Sequence, residues 1–92
     1  MDRIELPGEL TAVDSFAISA RLGQLTSMMR PAVTVDLSDT TEVHPSVVSI
    51  LIRHRRQARR QGGDLRVIRP GAGEARHTIE QIGLVNPPEN RS

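Results

Sequence analysis

Residues 32–63 read AVTVDLSDTTEVHPSVVSILIRHRRQARRQGG, and this stretch decides the fold. Val33, Val35 and Leu37 alternate within a β-branched run, the pattern of an inner strand over residues 32–37. A polar loop follows, and then a helix opens at Pro45. Proline is tolerated at a first helical position because the N–H it lacks would be unsatisfied there anyway. Val47, Val48, Leu51 and Ala58 supply the inward stripe of that helix, which closes at Gly62-Gly63. Strand, loop and helix start form a unit in which helix N-termini recognise anions or loops, so residues 40–48 are the expected site of action.

The flanking sequence repeats the alternation. Residues 3–6 read as a short strand ended by Pro7-Gly8, with Leu10 either extending it or belonging to the turn. From Val13 to Met29 an amphipathic helix is expected, capped by Asp14 or Thr11 and stopped by Pro31. Its apolar residues are Val13, Phe16, Ala17, Ala20, Leu22, Leu25 and Met28 or Met29. Residues 65–68 form a further strand, 70–73 a turn and 74–82 a last helix ended by Gly83. The order strand, helix, strand, helix, strand, helix is that of an α/β domain with parallel pairing and right-handed crossovers. One domain over residues 1–85 and a disordered tail over 86–92 are expected.

Composition narrows the chemistry. The chain has 92 residues, and one this small buries only about two thirds of its unfolded surface. Phe16 is the only aromatic besides three histidines, which argues against a base-stacking nucleic-acid module. No cysteine is present, so disulfides, thiol catalysis and cysteine-bound metal are excluded. All twelve basic residues are arginine, which reads as coding bias. No apolar run near the N-terminus is long enough for a signal peptide or membrane span, so a cytoplasmic protein with no membrane partner is expected.

In order along the chain, Gly8-Glu9-Leu10, Val35-Asp36-Leu37-Ser38, Arg59-Arg60-Gln61-Gly62-Gly63, Leu65-Arg66-Val67-Ile68 and Ile82-Gly83-Leu84 resemble a STAS domain of the anti-sigma factor antagonist type. The resemblance implies an α/β single domain with a mostly parallel central sheet. It also implies a bacterial regulator of transcription whose partner is an anti-sigma factor that is a serine kinase. In such antagonists a serine at the start of the second long helix is phosphorylated, and the added charge disrupts packing against the partner. The family loop Asp-Ser-Ser/Thr-Gly aligns with His44-Pro45-Ser46-Val47, and Thr11 stands where an aspartate commonly follows Gly-Glu-Leu. Pro45 has no hydroxyl, so the ordinary switch is expected to be lost, moved or replaced. Ser46 is the nearest possible phosphorylation site, with Thr40, Thr41 and Ser49 behind it. The resemblance also implies that an N-terminal strand and a C-terminal strand and helix are missing, which would leave an edge for homodimerisation.

The expected partner surface comprises Thr40, Thr41, His44, Pro45, Ser46 and Val47, with Arg53 and Arg56 at its rim. Asp39, His44 and Ser46 suggest a catalytic triad, but turn formation by Asp39 and Thr41 and capping by His44 account for them more simply. No catalytic residue is therefore assigned. His44, His54 and His77 are too scattered for a metal, and neither Gly62-Gly63 nor Gly71-Ala72-Gly73 has the residues of a nucleotide loop, so no metal or cofactor is expected. Arg53, Arg55, Arg56, Arg59 and Arg60 offer the alternative function, anion or nucleic-acid binding through helix residues 53–60. A solvated helical face explains the run better, since the net charge is only +1.

Overall fold

A computed structural model describes residues 2–70. The elements are β1 (Asp2–Glu5), β2 (Gly8–Leu10), α1 (Asp14–Thr26), β3 (Ala32–Asp36), β4 (Thr40–Val43), α2 (Pro45–Arg60) and β5 (Asp64–Ile68). The expected helix at 74–82, the turn beyond Pro70, Ile82-Gly83-Leu84 and the tail at 86–92 lie outside the described residues.

β1, β3 and β5 form a parallel sheet in that order, with Ile4 opposite Val35 and Val35 opposite Val67. Side chains alternate between the sheet's faces. Val33, Val35, Leu65 and Val67 are buried on one face together with Ile18 and Leu22 of α1 and Val47, Leu51 and Ala58 of α2. The other face carries Arg3, Glu5, Arg66 and Ile68, which are exposed, and Asp36, which Arg3 covers. Both helices therefore lie side by side on the apolar face, as two right-handed crossovers stepping in one direction require. The expected α/β fold and parallel pairing hold.

Two features depart from the sequence reading. The polar loop is partly a strand: Thr40–Val43 pairs in parallel with Gly8–Leu10 as a second sheet, with a bulge between Gly8 and Glu9. Gly8 adopts φ +80°, a left-handed conformation that favours glycine, where the chain steps from β1 to β2.

The second departure concerns which side of α1 is inside. Ser15, Ile18, Leu22 and Thr26 are buried, whereas Val13, Phe16, Ala17, Ala20, Met28 and Met29 are exposed. Polar residues hold the inner face because their hydroxyls are satisfied locally. Ser15 Oγ donates to the Ala12 carbonyl at 2.6 Å, and Thr26 Oγ1 donates to that of Leu22 at 2.8 Å. Neither proposed residue caps α1. Val13 occupies the cap position without a side-chain bond, and the Asp14 carboxylate instead accepts from the Thr11 N–H at 2.7 Å.

α2 follows its sequence pattern. Val47, Val48, Leu51 and Ala58 are all buried, joined by Ile50. The helix ends where Gly63 passes the Pro31 backbone: a Cβ there would lie 1.9 Å from the Pro31 oxygen. Among the described residues, no helix is long and apolar enough to cross a membrane.

Candidate functional site at the start of α2

β4 carries the chain to His44, whose extended backbone (φ −68°, ψ 143°) places it at the N-cap, with Pro45 as the first helical residue. The His44 N–H donates to the Leu10 carbonyl at 2.9 Å, which ties the helix start to β2. Its Nδ1 accepts from the Ser46 backbone N–H at 3.1 Å, so a neutral ring carries its proton on Nε2. Ser46 Oγ lies 2.8 Å from the same nitrogen and donates to it. His44 is thus the capping residue that the sequence suggested.

These bonds close the helix start to anions. An α-helix N-terminus binds phosphate through unsatisfied N–H groups. Pro45 has none, the Ser46 N–H is held by the imidazole, and the Val47 N–H donates to the His44 carbonyl at 2.9 Å.

Two carboxylates add to that barrier. His44 and Pro45 line an open cleft of about 460 Å³ with Glu9, Leu10, Thr11, Glu42 and Val43. Glu9 and Glu42 face each other across the β2–β4 pair. A hydrogen bond to Glu9, and then the charge of Glu9, hold the Glu42 carboxyl above its ordinary pKa. The sequence reading missed this pair, because its register appears only once β4 is recognised as a strand.

The other expected site residues divide. Thr40 is buried and donates to the Leu6 carbonyl at 2.5 Å, and Val47 is fully buried in the core. Both therefore hold the site in place from within, whereas Thr41, His44 and Pro45 are exposed. Asp39 lines a separate cleft with Glu5, Leu6, Pro7, Asp36 and Ser38, so it does not sit with His44 and Ser46. Beneath that cleft Asp36 accepts from the Ser38 N–H at 2.9 Å. Hydrogen bonds from Ser38, and then the Arg3 guanidinium, hold the Asp36 carboxyl below its ordinary pKa. This fixes the exit from β3.

Arg53 and Arg56 do not flank His44. They line a different open cleft of about 410 Å³ between α1 and α2, with Gly23, Thr26, Ser27, His54, Gln57 and Arg60. His54 bridges the two helices at its base. Its Nε2 lies 3.4 Å from Ser19 Oγ and its Nδ1 3.4 Å from Thr26 Oγ1. Thr26 already spends its proton on Leu22, so Nδ1–H is the donor to Thr26 and Nε2 accepts from Ser19. Burial, and then the charge of Arg53, push the His54 pKa down. Sequence spacing alone does not bring Ser19, Thr26 and His54 together.

A parallel sheet with both helices on one face, ending in a capped helix start beside a second short parallel pair, defines a small α/β domain. The chain belongs to the STAS domain family: residues 1–86 match the family model described as Mlab, STAS domain. STAS domains are in general non-enzymatic regulatory modules that interact with other proteins. No curated protein matches the sequence significantly.

Proposed function

We propose that this chain is a non-catalytic protein–protein interaction module of the anti-sigma factor antagonist type, acting in bacterial transcription control in the cytoplasm. Its partner is an anti-sigma factor that resembles a serine kinase, and it docks on residues 40–48 and the first turns of α2. Binding is constitutive rather than switched by phosphate. The observation that carries this reading is the closed start of α2. By the family resemblance Pro45 stands at the acceptor position, and the donors that would receive a phosphate on Ser46 are spent on His44. Glu9 and Glu42 in the adjoining cleft would repel the added charge.

Thr41, His44 and Pro45 supply the exposed contact surface, while Thr40 and Val47 keep it in register from below. A second copy would add at an open edge of the described sheet, β1 or β5. The test is to recover the partner with the tagged chain from its native lysate and identify it by mass spectrometry. The complex is then treated with ATP. A GHKL-type kinase that stays bound, with the chain unmodified, supports the proposal. Phosphate on Ser46 accompanied by release overturns the constitutive form.

A further inference from the structure

Among the described residues charge is segregated by element, although the net charge of the chain is only +1. α1 and α2 carry Arg21, Arg53, Arg55, Arg56, Arg59 and Arg60 against a single acidic residue, Asp14. The acidic side chains stand mainly on the strands and their connections. Asp64 at the start of β5 takes up part of the helical charge, with its Oδ1 3.6 Å from Arg55 Nε and 3.1 Å from Arg59 Nε. Among the described residues, Arg53, Arg56 and Arg60 make no ion pair.

Those three side chains are spaced three and four apart, so they share one face over roughly 10 Å of helix. They line the α1–α2 cleft, whose opposite wall includes Gly23 and Ser27. Phe16, Ala20, Gly23 and Ser27 also recur at four, three and four, which makes them a single ridge along α1. Phe16 is 79% exposed on that ridge.

Internal packing does not require glycine at Gly23. A Cβ there would meet only the His54 ring, at an ordinary 3.8 Å, and glycine inside a helix is less favourable than alanine. The missing side chain leaves the groove open. Arg53, Arg56, Gln57 and Arg60 form its α2 wall.

We propose that this groove seats an acidic amphipathic helix of the protein partner, with carboxylates at i, i+3 or i+4 and i+7 against Arg53, Arg56 and Arg60 and apolar side chains against Phe16 and Ala20. The inference rests on the docking function above and extends it from the start of α2 along the helix. A helix in a groove matches the repeat of the arginine row. The arginine row spans only about two turns of helix in a chain of net charge +1, which suits a short acidic helix better than an extended polyanion.

The test uses the full chain and fluorescein-labelled peptides of about 18 residues, long enough to form a helix. One peptide carries glutamates in the matching repeat beside a leucine face; the other has the same composition shuffled. Fluorescence polarisation should show the patterned peptide binding at least about tenfold more tightly than the shuffled one. Arg53→Gln, Arg56→Gln and Arg60→Gln together should remove that preference with the circular dichroism melt unchanged. Gly23→Leu, which fills the groove with a good helix former, should do the same, and Arg66→Gln, exposed on the opposite face of the sheet, should not.

Equal affinity for the two peptides, no binding of either, or equal or tighter binding of duplex DNA or phosphatidylserine vesicles overturns the proposal. A chain that fails this test but still captures the kinase-like partner overturns the groove alone. A chain that binds the patterned peptide but no such partner overturns the docking function alone.

Discussion

Replacing His44 by alanine separates the structural role of this residue from any chemical one. The imidazole Nδ1 satisfies the Ser46 N–H at 3.1 Å and receives the Ser46 hydroxyl at 2.8 Å, both at an exposed site. Loss of a side-chain N-cap costs about 1 kcal/mol, and the Pro45 that follows supplies no N–H to compensate. In a domain of this size that lowers the melting temperature by roughly 4–8 °C.

Ser46→Ala removes only the exposed hydroxyl contact and leaves the N–H bond, so it should cost about half as much or less. The double variant should cost no more than His44→Ala plus a few tenths, because the hydroxyl has already lost its acceptor. His44→Asp, which restores a cap and places negative charge at a helix N-terminus, should recover most of the loss. Urea denaturation followed by circular dichroism reads all four variants. A stability of His44→Ala equal to that of the parent, or a larger cost for Ser46→Ala, would refute the capping argument and return the pair to consideration as reactive groups.

Three further outcomes follow from the same structure. Because the folded His54 pKa lies below its unfolded value, its contribution is fully present above the unfolded value and is lost as pH falls through the folded one; His54→Gln should flatten that part of a stability–pH profile measured by urea titration. Glu42 behaves in the opposite sense: its folded pKa is raised, so its contribution is present below the unfolded value and lost as pH rises through the folded one. Glu42→Gln should therefore raise thermal stability at neutral pH and remove the dependence. Gly63→Ala drives a Cβ into the Pro31 backbone and should cost about 3 kcal/mol or more, read as a lower urea midpoint.

Much of the fold was legible because apolar periodicity and burial coincide in β3, α2 and β5. In α2 every residue of the expected stripe is buried. α1 misled because Val13, Phe16, Ala17 and Ala20 form a valid helical stripe that faces outward, while Ser15 and Thr26 occupy inward positions with hydroxyls bonded to their own helix. Binary patterning assigns such polar residues to solvent. β4 was missed because Thr40, Thr41 and Glu42 lack an apolar alternation; the strand exists through its pairing with Gly8–Leu10, a contact that is remote in sequence.

The site was legible to the same degree. The His44 cap and the first-position proline are local and could be read directly. The Glu9–Glu42 pair and the His54 bridge depend on register and helix packing, which spacing does not reveal.

The most direct measurement is the mass and partner affinity of the chain before and after incubation with its captured kinase-like partner and ATP. An unmodified chain with unchanged affinity is the predicted result. A phosphoryl group on Ser46 together with lost binding would contradict the claim that the start of α2 is a constitutive docking surface.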